Sequence, residues 1–109
     1  MNLFSNWDEI PTIYLDTMDR KIFTGENVML VRNEVHPKEE LPLHDHPHEQ
    51  LFIVESGECE VFTEGQTQVV KAGGLVWFRS GQPHKVVNLL DEPLVVIDVF
   101  SPIREDFLK

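Results

Sequence analysis

The sequence predicts an all-β domain: a small antiparallel barrel made of two sheets, with a short turn or helix at its N-terminus. Two observations support this prediction. The apolar runs are short and rich in β-branched residues, and turn-forming residues separate them at close intervals. Short strands broken this often are typical of sandwiches and barrels. Helical periodicity is weak outside residues 6–10, where Pro11 restricts any helix.

Strands are predicted in order along the chain, each ending near a turn. They are Val28–Val35, Leu51–Val54, Glu58–Phe62, Gln68–Lys71, Leu75–Phe78, Lys85–Leu89 and Leu94–Phe100. The length of 109 residues suits one domain. We therefore predict a single domain over residues 1–109, with the barrel core at about residues 28–100.

Charge and cysteine content narrow the range of functions. Acidic residues outnumber basic ones 19 to 9, giving a net charge of -10, and no basic cluster appears. Such a chain should repel phosphate backbones, so we expect no nucleic acid partner. No apolar run approaches the roughly 20 residues that span a bilayer, so we expect no membrane partner. The only cysteine, Cys59, cannot form an internal disulfide, and we expect a cytoplasmic protein.

Three of the five histidines alternate in one stretch, at His44, His46 and His48, and Gln50 continues the rhythm. Residues two apart on a strand share a face, so His44 and His46 could bind one ion together. Pro47 indicates a bend after them, which favours Gln50 over His48 as a further ligand. The alternative is a chance cluster of surface histidines.

A fourth ligand is predicted at His84, which follows a turn at Gly81 and Pro83 and opens a strand. That position is expected at the rim of the barrel, facing the histidine pair. The remaining histidine, His36, has no partner in any pattern and is expected to be exposed.

The spacing of these residues resembles the two motifs of the cupin superfamily. The motifs are G-x5-HxH-x3,4-E-x6-G and G-x5-PxG-x2-H-x3-N, and the chain departs from them at Lys38, Gln50 and Arg79, where they have glycine, glutamate and proline. The matching residues are His44, His46 and Gly57, then Gly73, Gly81, His84 and Asn88. The resemblance implies the small double-sheet barrel called a jelly roll, with a metal centre inside it.

The stretch HPHEQ and the C-terminal run DVFSPIREDFL resemble one subgroup more closely, the pectin-degradation cupins that linearise unsaturated uronates. That resemblance implies a metal held by three histidines and a glutamine. It also implies active-site roles for Asp98, Phe100 and Arg104. The substrate would be a small anionic sugar, a 4,5-unsaturated uronate opened to a linear keto acid.

A glutamine in place of glutamate changes the charge of such a centre. Three imidazoles and an amide are neutral, so a divalent ion would keep its full positive charge and attract anions. Imidazole and amide ligands suit Zn, Ni, Fe, Mn or Co, and the sequence does not choose among these metals.

Asp98 stands in the middle of an apolar strand, where a carboxylate is costly unless it is paired. We assign it to proton transfer, Arg104 to the substrate carboxylate, and Phe100 to one wall of the site. Trp77 is predicted to line the barrel and contact substrate. The alternatives are a structural Asp98 paired with Arg79 or Arg104, and a surface ion pair between Arg104 and its acidic neighbours.

Two other functions fit these residues. One is a non-catalytic cupin that binds a metal or a sugar acid, because fold does not fix function. The other is a metal-dependent dioxygenase. Strands with open edges, Val28–Val35 among them, also predict a homodimer.

Overall fold

The computed structural model describes residues 3–109 and shows two antiparallel sheets, as the sequence predicts. Ten strands alternate with short turns. They are β1 (Ile13–Tyr14), β2 (Met18–Thr24), β3 (Met29–Val35), β4 (Glu40–His44), β5 (Glu49–Ser56), β6 (Glu58–Thr63), β7 (Gln66–Lys71), β8 (Leu75–Phe78), β9 (His84–Asn88) and β10 (Leu94–Ser101).

The helical content of the described residues is limited to two 3-10 turns, at Trp7–Glu9 and Glu105–Leu108. Asn6 caps the first turn by accepting a hydrogen bond from the backbone N–H of Asp8. Within residues 3–109, the helical segments are too short and too polar to cross a bilayer.

The sheets have the orders β1-β2-β3-β10-β5-β8 and β4-β9-β6-β7. Alternate residues of β3, β9 and β10 are buried, as expected where one face of each sheet packs on the other. The core between the sheets includes Phe52 and Phe78, whose ring centroids lie 5.5 Å apart. One end of this core remains open, and the polar residues described below lie there.

The predicted strand positions agree with the structure within a few residues, but β1, β2 and β4 were not predicted. β2 reads MDRKIFT, which lacks a clear alternation of apolar and polar residues. Val28–Val35 was expected at an open edge, and this expectation is wrong: β3 lies between β2 and β10. The edges of the larger sheet are β1 and β8.

Candidate metal centre

His44 and His84 lie side by side on neighbouring strands of the smaller sheet. His44 ends β4, His84 begins β9, and the two are paired in the antiparallel register. Their ring centroids are 4.4 Å apart, and the His84 ring stacks on Phe78 at 4.1 Å. His84 was expected to face His44 across the barrel. It lies beside it instead, because β4 and β9 are adjacent in one sheet.

His46 reaches the same point from a loop. β4 ends at His44, so the two residues do not share a strand face as predicted. The loop is held in place by the turn after β8, where Gly81 donates its backbone N–H to the carbonyl oxygen of His46 at 2.9 Å. Gly81 has φ 75°, a left-handed conformation that favours glycine. One side-chain nitrogen from each of His44, His46 and His84 lies within 4.8 Å of the others.

The backbone fixes how the three imidazoles are oriented. Each Nδ1 lies within hydrogen-bond distance of a carbonyl oxygen, which can only accept. Nδ1 is therefore the protonated nitrogen, and Nε2 presents a lone pair. The carbonyl groups belong to Pro42, His48 and Gln82, at 2.7, 3.1 and 3.0 Å respectively.

The Nε2 atoms have the surroundings of metal ligands. Nε2 of His84 is buried and has no hydrogen-bond partner among the described residues, which is rare for a polar atom in a folded protein. Burial also lowers the pKa of His84 to about 4. The pKa of His46 is lowered by burial and then by the charge of Arg104. Both rings are thus neutral at pH 7, the form that binds a metal.

Gln50 completes the set from the opposite sheet. It lies on β5, is 6% exposed, and places Oε1 3.1 Å from Nε2 of His46. With Nδ1 of His46 protonated, both atoms offer lone pairs to the space between them. Two atoms each about 2.1 Å from one ion are about 3.0–3.4 Å apart at the angles usual for such centres. The residues present therefore fit a divalent metal held by His44, His46, Gln50 and His84.

Asp98 lies directly behind Gln50 and is 4% exposed. Its two oxygens accept hydrogen bonds from Nε2 of Gln50 at 2.8 Å and from Nδ2 of Asn33 at 3.0 Å. Burial raises the pKa of Asp98 to about 6, although both hydrogen bonds and the charges of Arg20 and Arg104 oppose the increase. Asp98 is thus hydrogen-bonded to two amides, and not to Arg79 or Arg104, as the alternative of a structural Asp98 predicted.

Arg104 lies over aromatic rings at the mouth of the same pocket. Its Cζ atom is 5.0 Å from the centroid of Phe100 and 4.1 Å from that of Phe107. It donates to Asp106 at 3.1 and 2.9 Å, so the ion pair with an acidic neighbour also exists. Asp106 is more than half exposed, whereas the Arg104 side chain is 11% exposed. Asp106 engages Nε and Nη2 of Arg104, which leaves the Nη1 donors for another anion.

These side chains enclose a cavity of about 160 Å³. It lies between the two sheets, with the histidines on one side and the carboxylate on the other. Among the residues that line it are His44, Gln50, His84, Asp98, Phe100 and Arg104. The structure thus brings together the residues predicted from the metal motifs and from the C-terminal run. His46 belongs to this group, because its Nε2 lies 3.1 Å from Oε1 of Gln50 and its ring centroid lies 5.0 Å from that of His84.

Two other predicted residues lie elsewhere. Trp77 was predicted to line the barrel, and this is wrong: it is 55% exposed on the outer face of β8, because the inward position goes to Phe78. Its Nε1 donates to Glu49 at 2.9 Å. Arg79 pairs with Glu64 at the surface.

Lys38 occupies the position of the first motif glycine and has φ 62°, the left-handed conformation that glycine adopts readily. The departure from the motif therefore preserves the turn. His36, expected to be exposed, is half-buried and contacts Asp19 with 3.1 Å between Nε2 and Oδ1. His48 is half-buried, with its ring 6.4 Å from that of Phe100.

Sequence reasoning missed several residues of the pocket, among them Arg20, Asn33 and Phe107. A signal existed for Asn33, because it shares the buried face of β3 with Val31 and Val35. A polar residue on an apolar face is the same signal that singled out Asp98. Arg20 had no comparable signal, since β2 itself was not predicted.

Comparison with known proteins agrees with this geometry. The family model described as a cupin domain matches residues 31–100. The pectin degradation protein KdgF of Dickeya dadantii is 35% identical over 104 residues, covering 94% of this chain and 90% of that protein.

Solved structures show the same architecture over nearly the whole chain. KdgF from a Halomonas species superposes with a TM-score of 0.90 at 26% identity, covering 98% of this chain and 99% of that one. An RmlC-like cupin from Shewanella frigidimarina gives a TM-score of 0.90 at 27% identity, covering 98% and 96%. The fold, the residues matched and these relatives together show that the chain belongs to the cupin superfamily, as a homologue of the pectin-degradation protein KdgF.

Proposed function

We propose that this protein is a metal-dependent enzyme that opens the ring of a 4,5-unsaturated uronate, such as unsaturated galacturonate, to a linear keto acid. The observation that supports the proposal is the convergence of four neutral ligands, a buried carboxylate and an arginine on one small cavity. The homology to a protein named for pectin degradation supports the substrate class.

The metal would be held by His44, His46, Gln50 and His84. Zn, Ni, Fe, Mn and Co all accept such ligands. When bound, it would act as a Lewis acid on substrate oxygens, with its charge undiminished by anionic ligands. An anion is therefore favoured in the pocket, in spite of the net charge of -10.

Arg104 would bind the uronate carboxylate, since a guanidinium can donate two parallel hydrogen bonds to it. Phe100, 3% exposed, forms the wall against which one face of the sugar packs. The cavity of about 160 Å³ is smaller than the roughly 300–1,000 Å³ of pockets for drug-sized ligands. It suits one sugar ring better than an oligosaccharide.

Asp98 would move the proton. The anomeric hydroxyl loses a proton as the bond between C1 and the ring oxygen breaks, which leaves an aldehyde at C1 and an enolate at C5. C4 then receives a proton and the enolate becomes a ketone, so the product is an isomer of the substrate. Each oxygen of Asp98 accepts one amide hydrogen bond and retains a second lone pair for this transfer.

The test is to monitor product formation by NMR with unsaturated galacturonate as the substrate, after the protein has been loaded with each candidate metal. Asp98→Asn alone is a poor variant, because its amide would meet a second donor at Gln50 or Asn33. The exchange variant Asp98→Asn with Asn33→Asp retains all the donors and acceptors but moves the charge from position 98 to position 33, beside Arg20.

We expect the wild-type protein to form product and the exchange variant to lose at least about 100-fold in kcat, the lower range for general acid–base catalysis. Wild-type turnover by the exchange variant would refute the role of Asp98. A tightly bound but unchanged uronate would indicate a sensor. Activity that requires oxygen would indicate a dioxygenase.

We also propose that the protein is a cytoplasmic homodimer. Leu51, Leu75 and Trp77 form an exposed apolar patch on the outer faces of β5 and β8 and are 50%, 75% and 55% exposed. Apolar side chains that cluster on a surface are typical of interfaces, and a second copy of the chain is the partner we assign. The only cysteine is buried and unpaired, which suits a reducing compartment.

A further inference from the structure

Four polar side chains form a continuous hydrogen-bonded row across the larger sheet. They come from four neighbouring strands, β2, β3, β10 and β5. Nε of Arg20 donates to Oδ1 of Asn33 at 3.0 Å, Nδ2 of Asn33 donates to Asp98 at 3.0 Å, and Nε2 of Gln50 donates to Asp98 at 2.8 Å. The row begins at a guanidinium and ends at the candidate metal ligand Gln50.

The chemistry of the row permits only one orientation for each amide. A guanidinium can only donate, and an ionised carboxylate can only accept. Asn33, between Arg20 and Asp98, must therefore direct its oxygen to the arginine and its NH2 group to the carboxylate. Gln50 must direct its NH2 group to Asp98, so its oxygen faces His46.

The row also fixes the position of the Asp98 carboxylate. Asn33 holds the second oxygen of Asp98, so the carboxylate cannot rotate away from Gln50. Asn33 is 3% exposed, and without Arg20 its buried oxygen would lose its hydrogen bond, which is unfavourable. Arg20 is itself held by the ring of Phe107, 3.9 Å from its Cζ atom.

We propose that Arg20 and Asn33 are positioning residues that orient the Gln50 amide, through Asp98, so that its oxygen is directed at the three histidines. Neither residue reaches the metal position, and both act through Asp98. This inference rests on the metal centre proposed above, and not on the identity of the sugar. It predicts that metal affinity depends on two side chains that bind no metal.

The first measurement uses the metal-free protein. The side-chain amide signals of Gln50 are recorded in a ¹⁵N–¹H NMR spectrum and assigned by their loss in Gln50→Met. Asn33→Leu should shift these signals and speed the exchange of their protons. Asn88→Ala is the matched control, because Asn88 is also a buried amide, 1% exposed. Its Nδ2 donates hydrogen bonds to the backbone carbonyl oxygens of Val35 and Glu92, and not to any residue of the row.

The second measurement is Zn²⁺ affinity by chelator competition. We expect Asn33→Leu and Arg20→Lys to weaken binding by about 10- to 100-fold, the usual effect of losing a residue that supports a ligand. Arg20→Lys retains the charge but replaces the Nε–H donor, which is fixed in the planar guanidinium, with an ammonium group at the end of a flexible chain. Asn88→Ala should leave the affinity unchanged even if it lowers the melting temperature.

The exchange variant Asp98→Asn with Asn33→Asp provides the rescue. Asp98→Asn alone should weaken Zn²⁺ binding, and the second substitution should restore it, because the row is complementary again. Restored binding without turnover supports both proposals. Restored binding with full turnover would leave the positioning role intact and refute Asp98 as the proton carrier.

The inference is overturned if the Gln50 signals and the Zn²⁺ affinity are the same in Asn33→Leu and Arg20→Lys as in the wild type. It is also overturned if Asn88→Ala changes both to the same extent, since the effect would then be general destabilisation. If Asn33→Leu fails to fold, Arg20→Lys and the exchange variant decide. Failure of the wild-type protein to bind Zn²⁺ or any other candidate metal would refute the metal centre, and the amide signals would still test the orientation.

Discussion

Replacing Gln50 with glutamate tests the structure most directly, because it converts a hydrogen-bond donor into a second carboxylate. In the native protein Nε2 of Gln50 donates to Asp98 at 2.8 Å. In Gln50→Glu that contact would join two carboxylate oxygens in a buried site. Two such groups cannot both ionise at this distance, so they share a proton.

The size of the expected change in the free energy of unfolding follows from that shared proton. The pKa of native Asp98 is raised to about 6 by burial, so it is ionised above that pH. In metal-free Gln50→Glu the folded state would still hold one proton that the unfolded chain has released. Its free energy of unfolding then falls with rising pH, by about 1.4 kcal/mol per unit relative to the wild type. Between pH 6 and 8 the difference grows by about 2–3 kcal/mol, or roughly 10–20 °C in melting temperature.

The assay is thermal unfolding of chelator-treated protein at several pH values. Gln68→Glu is the matched control, since Gln68 is exposed on β7 and a surface change is usually within about 0.5 kcal/mol. Gln50→Met removes the hydrogen bond without adding a charge. Because that hydrogen bond lowers the pKa of Asp98, the pKa should rise in Gln50→Met. The stability difference from the wild type should therefore level off once Asp98 ionises in the variant, whereas that of Gln50→Glu continues to grow. Parallel stability curves for Gln50→Glu and the wild type would refute the contact between Gln50 and Asp98.

Three further predictions concern other parts of the molecule. Phe107→Ala removes the ring beneath Arg104, so KM for the uronate should rise up to about tenfold by steady-state kinetics; an unchanged KM would contradict the role of the ring. Because the same ring holds Arg20, the Zn²⁺ affinity should also fall. Burial raises the pKa of Cys59 to about 12, so mass spectrometry should find no alkylation of this thiol by iodoacetamide at pH 8 until urea unfolds the chain. Rapid labelling of the native protein would contradict the burial of Cys59. Leu75→Glu and Trp77→Glu should each reduce the light-scattering mass from two chains to one, and a wild-type mass of one chain would refute the dimer.

The strands of the core could be predicted from sequence because they are short apolar runs, rich in β-branched residues, that lie between turns. β3, β9 and β10 are such runs, and each was placed within two residues. β2 was missed because none of its residues after Met18 is fully buried. Its place in the sheet depends on pairing with β3, which no local pattern reveals.

The clustering of His44, His46 and His84 could be predicted although part of the reasoning was wrong. His44 and His46 were expected to share one strand face, whereas His46 lies in a loop held by Gly81. The cluster was still predicted because motif spacing carries information about loops as well as strands. Trp77 was misplaced for the opposite reason: an aromatic residue in an apolar run gives no sign of which face it occupies, and Phe78 takes the inner one.

The structure gives a reason for an amide at position 50 that the sequence could not supply. A glutamate would bring charge to the metal, but it would have no proton to donate to Asp98. Gln50 provides an oxygen on one side and a donor on the other, so it can link His46 to the carboxylate of Asp98. The negative charge is thereby placed behind the ligand, at Asp98, and the lone pairs of that carboxylate remain free for proton transfer. The choice of glutamine as a ligand and the position of the proposed proton carrier therefore depend on each other. A single substitution at Gln50 or at Asp98 should alter both metal binding and turnover.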